Sequence, residues 1–402
     1  MYFGVLLILA ILANSPPDSA GVVSEQSFLD AAMADGRVHA VLDEPLAVAR
    51  ADRARAGMLS NPEASFDRET LKDQPRQDTW GLSWTPPLDG RPWVRDRAAR
   101  AGLGAAESRH EQSQIALRAE LREAYAAWAL ARDGAAFGQR LAGLVDGLAR
   151  RADAQASRGE ASPLTARRLL LARIEVRTEA ARLSAELAHA QGRVRSWAPG
   201  LSPAAVPARP ILPPAPSDTL LWLRSPRIAA LAYEIRQAEM LSGLANRFWA
   251  LPEFTVGRQS AIGTLVDLKG TVFGVRWGLP LFDRRQGDRI ETRGRLSAAR
   301  GRSQLERSRV REEFIASLSA YATLRETAAL TAEAEAAAER VLTSASAMFE
   351  AGESDVTDLL ETLRGVLGGQ RAALDAFGAA LRAHRELEIA AGRPLPLIDG
   401  GD

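Results

Sequence analysis

The chain of 402 residues has no cysteine, only two lysines (Lys72 and Lys269) and four scattered histidines. Without cysteine it has no disulfide, no thiol nucleophile and no thiolate metal site. The usual enzyme signatures are also missing, since no HExxH, GxSxG, GxxxxGK[ST] or GxGxxG segment occurs. These absences predict a protein that is not an enzyme, with no catalytic residues, no metal site and no cofactor.

An excess of charge of one sign is lacking as well. The 51 basic residues are balanced by 50 acidic ones, which leaves a net charge of +1. A nucleic-acid surface needs concentrated basic charge, so nucleic acid is not an expected partner. Aromatic residues make up only 6% of the chain and charged residues 25%. Together with the alanine- and arginine-rich stretches, this composition favours long helices.

Long apolar runs are confined to the N-terminus. Residues 2–13 form an uninterrupted run, followed by small residues and two prolines. A bilayer span needs roughly 20 apolar residues, so this run is instead typical of a secretory signal peptide over 1–20. A buried N-terminal helix is the alternative, because the first residues contain no lysine or arginine. Since no later stretch reaches the length of a membrane helix, contact with a membrane is expected through β-strands or the protein surface.

The chain contains an internal repeat at a shift of 193 residues, the spacing of Trp84 and Trp277. A chance likeness between two helices would not place a Trp-x-x-Pro-Leu segment and a Gly-Glu pair at one shift, so the repeat indicates a duplicated unit. Upstream, Pro62 aligns with Pro252 at a shift of 190. The pairs at the main shift include Pro87 with Pro280, Leu88 with Leu281, Leu121 with Phe314, Trp128 with Tyr321, Gly159 with Gly352 and Glu160 with Glu353.

Each half is predicted to contain a helix, two short strands, a very long helix and a shorter helix. The first helices are expected at Glu44–Ser60 and Asp218–Ala250. Prolines exclude helix from the segment that joins the halves. The predicted organisation is a first repeat over 21–198 (strands about 63–88, helices about 92–197), a linker over 199–217, a second repeat over 218–394 (strands about 253–281, helices about 287–391) and a tail over 395–402.

The long helices carry an apolar stripe. In the second one, Val310, Phe314, Leu318, Tyr321 and Leu324 recur at helical spacing. About 65 residues make a rod of about 100 Å, which we expect to pack antiparallel against two shorter helices placed in line. A soluble coiled coil or helical bundle is the alternative that such stripes alone would favour.

The strands alternate between apolar and small or polar residues. Thr271, Phe273, Val275, Trp277 and Leu279 are predicted on one face of their strand, and Trp80, Leu82 and Trp84 on one face of theirs. This alternation is typical of an outer-membrane barrel wall, although a soluble two-stranded ribbon would look similar. Four strands cannot close a barrel, and bacterial barrels begin at eight, so a water-filled bore requires at least three chains and twelve strands.

The segment Gly278–Gly287, GLPLFDRRQG, leads directly into a long helix and resembles the strand-to-helix junction of TolC-type outer-membrane efflux channels, closest to the CzcC/CusC-like branch. The Gly-Glu turns and the duplicated plan support the resemblance, which spans about Glu44 to Pro394. The first half departs from it, because Pro87–Pro92 lacks the Phe and the Gln-Gly. Many relatives carry an acylated N-terminal cysteine, and no such anchor is expected here.

The resemblance implies a mainly α fold with a small β part. A long antiparallel α-helical barrel would continue a 12-stranded transmembrane β-barrel, to which each chain of a homotrimer contributes 4 strands. Outer-membrane lipid would surround the β-barrel. A periplasmic adaptor (membrane fusion protein) would link the helical end to an inner-membrane pump. The channel would then conduct small toxic solutes, metal ions or drugs, passively from periplasm to exterior.

The resemblance also assigns residues. Asp358 and Glu361 match acidic positions that narrow the periplasmic entrance, and their spacing places them on one helix face. An ordinary solvated face near a helix N-terminus explains them equally well. Gly159, Glu160, Gly352 and Glu353 are the expected turns that meet the adaptor. The candidates for the membrane interface are Trp80, Trp84, Phe273 and Trp277.

Two other functions stay open from the sequence. One is a periplasmic coiled-coil scaffold or adaptor without a pore. The other is an outer-membrane conduit for type I protein secretion.

Overall fold

The computed structural model describes residues 21–70, 76–160, 162–247, 250–262 and 267–395. The predicted signal peptide and all of the predicted tail except Leu395 lie outside these residues. The described chain is mainly helical with a small β part, which confirms the predicted fold class. Its elements are β1 (Val22–Val23), α1 (Glu25–Met33), α2 (Gly36–Ala56), β2 (Glu63–Glu69), β3 (Arg76–Trp84), α3 (Arg91–Ser157), α4 (Pro163–Trp197), β4 (Val206–Pro207), a 3-10 turn (Leu221–Arg224), α5 (Pro226–Ala245), β5 (Glu253–Ile262), β6 (Asp267–Arg276), α6 (Gln286–Ala351) and α7 (Val356–Ala391).

Two very long helices dominate the chain. Helix α3 has 67 residues and α6 has 66, so each is about 100 Å long. Helix α3 packs against α4 at one end and against α2 and α5 at the other, while α6 packs against α5 and α7. The expected stripe of α6 faces this core, since Val310, Phe314 and Tyr321 are fully buried.

The first helix of each half differs from its predicted bounds. Helix α2 begins at Gly36 rather than Glu44, because the Asp35 carboxylate accepts a hydrogen bond from the Arg37 amide and caps the helix. It continues through Pro45 and ends at Ala56. Helix α5 covers only Pro226–Ala245 of the predicted Asp218–Ala250, because Pro226 has no amide hydrogen to donate and is favoured in the first turn of a helix.

An N-terminal segment without a predicted element is ordered on the long helices. Helix α1 is capped by Ser24 and buries Phe28 against Tyr125 of α3. The short strand β1 pairs in parallel with β4, which lies in the linker. The Tyr125 hydroxyl lies 2.7 Å from the carbonyl of Val23 in β1 and 2.9 Å from that of Ala208, the residue after β4, so it links this pair to α3.

Strands β2, β3, β5 and β6 form one antiparallel sheet in that order. The two hairpins join where β3 pairs with β5, with Trp84 opposite Phe254. Strand β6 ends at Arg276, so the prediction that Trp277 and Leu279 continue its alternation was wrong. The chain turns there towards the proline of Gly278-Leu279-Pro280, which cannot donate a ladder hydrogen bond.

Within the described residues, no helix is both long and apolar enough to cross a membrane.

Candidate functional site

The tip of the molecule is formed by two turns, one between α3 and α4 and one between α6 and α7. Gly159 and Gly352 adopt φ angles of 76° and 77°, a left-handed conformation that favours glycine. The Glu160 amide donates to the Gln155 carbonyl at 2.9 Å, and the Glu353 amide donates to that of Met348 at 2.9 Å. Both helices therefore end in the same Schellman hydrogen-bond pattern, at the shift of the repeat.

The helices that leave the two turns are capped at matching positions. The Ser162 hydroxyl accepts the Leu164 amide at 3.2 Å, and the Asp355 carboxylate accepts the Val356 amide at 2.7 Å. The Thr357 hydroxyl also donates to Asp355 at 2.9 Å. The hydrogen bond from Thr357, followed by that from the Val356 amide, lowers the pKa of Asp355 below its ordinary value. Asp355 is thus held as a carboxylate that stabilises the start of α7.

Asp358 and Glu361 lie one turn beyond this cap and both are exposed. Leu359 and Leu363, on the opposite face of α7, are buried in a core cluster shared by α3, α4, α6 and α7. Among the described residues, neither carboxylate of Asp358 or Glu361 has a hydrogen-bond or ion-pair partner. The two carboxylates are therefore free to face solvent at the end of the helical bundle.

Contacts between the two helical hairpins surround the acidic pair. Arg168 of α4 donates to the Thr357 hydroxyl of α7 at 3.0 Å. Glu175 of α4 and Arg364 of α7 form an ion pair at 3.4 Å, and Arg151 pairs with Glu350 between the long helices. These contacts hold the tip ends of the hairpins together. Sequence reasoning missed them, because nothing in the repeat indicates which residues of one hairpin meet the other.

The sheet has two chemically different faces. Directly opposed residues on neighbouring strands share a face, so the register defines the two sets. One face is aromatic and aliphatic, with Trp80 and Phe273 61% and 80% exposed, and the Phe66 and Trp80 rings 4.5 Å apart. Glycine and polar residues predominate on the other face, which also carries Val272 and Leu268 of β6. The apolar set is Ala64, Phe66, Trp80, Leu82, Trp84, Phe254, Val256, Phe273 and Val275.

Trp84 and Trp277 mark the helix-proximal end of the sheet in the same way. The Trp84 indole donates to the Ser60 carbonyl at 3.0 Å, and the Trp277 indole donates to that of Ala250 at 2.9 Å. The two donors are 193 residues apart and the two acceptors are 190 residues apart. These are the two shifts of the repeat. Both indoles are partly exposed, and each links the end of one hairpin to the residues that precede the same hairpin.

A buried charged cluster lies away from both ends and was not predicted. Arg122 of α3 lies 2.5 Å from Glu388 of α7 and 3.3 Å from Glu25 of α1. Arg385 donates to the Arg122 carbonyl at 2.6 Å. Burial raises the pKa of Glu25 and lowers that of Arg385 to about 10. The cluster joins three helices, which shows that these charges have a structural role.

His384 adjoins the cluster and is 4% exposed. Its ring centroid lies 5.0 Å from that of Tyr321. Burial is the largest cause that lowers the pKa of His384, with Glu388 opposing it and Arg122 and Arg385 adding to it. Within the described part of the chain, no group of three or more histidine, aspartate or glutamate side chains is placed to hold a metal ion.

Comparison with known proteins places this geometry in context. No protein-family model matches the chain. It is 24% identical over 353 residues to the cobalt-zinc-cadmium resistance protein CzcC of Cupriavidus metallidurans, which covers 84% of this chain and 82% of CzcC. The solved structure of CusC superposes with a TM-score of 0.75 at 16% identity, covering 92% of each chain.

The open state of the MtrE outer membrane channel of Neisseria gonorrhoeae superposes with a TM-score of 0.73 at 16% identity, covering 92% of this chain and 89% of MtrE. These comparisons confirm the predicted resemblance to TolC-type outer-membrane channels at the level of the fold. The match in sequence covers 84% of this chain, and the matches in structure cover 92%. The elements that carry the tip, the sheet faces and the buried charged cluster therefore belong to a fold used by channel proteins.

Proposed function

We propose that this chain is one subunit of a homotrimeric outer-membrane efflux channel that conducts small toxic solutes from the periplasm to the exterior. The observation that carries the proposal is an open sheet with one exposed apolar face suited to contact with lipid. The sheet is continued by helices of about 100 Å, in the fold of known outer-membrane channels. No chemical step is required of the protein, because a conduit only has to hold a water-filled path open.

The free edges of the sheet support a trimer. Among the strands that the structure describes, β2 and β6 each pair on one side only. Such unpaired backbone groups are costly in lipid, and four strands are too few to enclose a bore. Pairing β6 of one copy with β2 of the next removes every free edge when three copies form a closed wall of twelve strands.

Apolar side chains along α6 support the same assembly. Leu305 and Leu330 are 66% and 63% exposed in the single chain, and Ile315 is exposed as well. A single rod cannot cover these residues itself. Neighbouring copies would bury them, which favours a helical barrel over a solitary scaffold.

The tip is proposed as the periplasmic entrance. Three copies of Asp358 and Glu361 would place two rings of carboxylates at its rim, which attract cations and raise their local concentration. The turns at Gly159 and Gly352 would meet a periplasmic adaptor that links the channel to an inner-membrane pump. The likeness to a cobalt-zinc-cadmium resistance protein supports metal cations as one class of cargo.

Purification from outer-membrane fractions, followed by planar-bilayer recording, tests this function. We expect a trimer that resists mild detergent and dissociates on heating, and discrete conductance steps at nanomolar protein. The same preparation boiled before addition is the control and is expected to be silent. A monomer that remains in the soluble periplasmic fraction would contradict the proposal.

A further inference from the structure

The apolar face of the sheet changes to a basic one near the hairpin tips. Directly opposed residues form rows that run across the strands. The row through Leu82 contains Ala64, Val256 and Phe273 and is apolar. The next row towards the hairpin tips passes through Trp80. The row after it contains Arg68, Asp78, Ser260 and Lys269. Charge therefore replaces hydrocarbon within two rows on a face that is otherwise apolar.

Basic residues outnumber acidic ones on this part of the face. Arg258 lies in the row of Trp80. The row beyond Asp78 contains Arg76, Ile262 and Asp267, so this part of the sheet carries four basic residues and two acidic ones. Asp78 accepts hydrogen bonds from both Arg68 and Arg76 at 2.8 Å, so a single carboxylate is shared by two guanidinium groups. We call Arg68, Arg76, Arg258 and Lys269 the basic belt.

Two members of the basic belt do not share the Asp78 carboxylate. Arg258 and Lys269 are exposed. Neither has an acidic partner among the side chains that the structure describes. Exposed cations beside a wall of aromatic side chains are suited to an anionic group that lies at the surface of a membrane.

The height of the belt fits the boundary of the bilayer. Asp78 and Trp84 are six positions apart on β3, about 20 Å along the strand. Leu279, Leu281 and Phe282 continue the exposed apolar surface beyond Trp84 towards the helices. An outer-membrane barrel has an apolar band about 25 Å tall, so the belt lies where that band ends on the side away from the helices.

We propose that the basic belt binds the phosphate groups of lipids in the outer leaflet of the membrane. The inference rests on the proposed function, which places the apolar face in lipid and the hairpin tips outside. Guanidinium groups bind phosphate oxygens through paired N–H donors, and an ammonium group contributes as a point charge. In the trimer, β6 of one copy lies beside β2 of the next, so Lys269 and Arg68 of adjacent copies would extend the belt around the barrel.

Lipid binding to the intact purified trimer tests the proposal. Native mass spectrometry would follow titration with three probes, namely lipid A bearing two phosphates, lipid A freed of phosphate, and inorganic phosphate. We expect the phosphorylated lipid to bind most tightly and inorganic phosphate not to be retained. For the double variant Arg258→Gln/Lys269→Gln, affinity for the phosphorylated lipid is expected to fall roughly 30-fold, about fivefold per removed charge.

The matched control is Arg150→Gln/Arg167→Gln, which removes two exposed arginines near the tip turns. This variant is expected to bind the phosphorylated lipid as the wild type does. Equal affinity of the wild type for both forms of the lipid, or unchanged affinity in the Arg258→Gln/Lys269→Gln variant, would overturn the inference. Conductance separates the two proposals, because a conducting trimer without phosphate preference refutes only the belt, whereas a chain that forms no membrane trimer refutes both.

Discussion

His384 is a histidine whose ionisation is linked to the stability of the fold. It is buried beside a cluster of charges, and burial lowers its pKa below the ordinary value. In the unfolded chain it titrates near 6.5, so below that pH the unfolded state binds a proton that the folded state does not. The free energy of unfolding is therefore expected to fall on acidification from pH 6.5 towards the lowered pKa, by up to about 1.4 kcal/mol per pH unit.

The variant His384→Gln isolates this effect. Glu25 acts in the opposite sense, because its raised pKa makes the folded state take up a proton first as the pH falls. That contribution is common to both proteins and cancels in their difference. Denaturant unfolding at pH 7.5 and 5.5 is expected to show a smaller loss of stability for the variant. Equal losses in both proteins would show that His384 does not titrate differently on folding.

Asp358 and Glu361 permit a second test at the residue scale. Replacing both by Asn and Gln removes six carboxylates from a trimer without removing any contact that the described residues make. Cation-over-anion permeability is expected to fall roughly twofold or more, because the rim no longer concentrates cations. Glu44→Gln/Asp52→Asn removes the same charge from exposed positions on α2 and is expected to leave selectivity unchanged. Reversal potentials in a salt gradient measure both.

At the scale of elements, the sequence predicts best what local signals determine. Helix α4 ends at Trp197, the bound expected from the prolines that follow it. Helix α1 and the β1–β4 pair were missed, because each depends on partners distant in the chain, such as Tyr125 and Val206. The contacts between the tip hairpins escaped prediction for the same reason.

The tip turns give a prediction in which one substitution type has opposite effects. Gly352→Ala forces a side chain into a left-handed conformation and is expected to destabilise the protein by about 1 kcal/mol. Gly365→Ala, in the interior of α7 with open space around its Cα, is expected to stabilise by about 0.5–1 kcal/mol. Thermal unfolding of the two variants measures the difference. A stabilising Gly352→Ala would refute the strain argument.

At the scale of the whole molecule, the exposed apolar surface of α6 permits a test of assembly. Leu330→Asp introduces a charge at a position exposed in the single chain, so folding of the chain is expected to be little affected. Burial of that charge between copies would be costly, and the trimer is expected to dissociate at lower detergent or temperature. Leu223→Asp, at an exposed leucine of the 3-10 turn, is the control. Size-exclusion chromatography with light scattering reports the oligomer.

The pairing of Val22 with Val206 has a consequence for how the chain matures. More than half of the polypeptide must exist before its leading residues find their strand partner. Synthesis proceeds from the N-terminus, so β1 has no strand partner until β4 in the linker has been made. Closing so long a loop is slow compared with winding the helices that it encircles. The β1–β4 pair is thus expected to be among the last parts of the first half to become ordered.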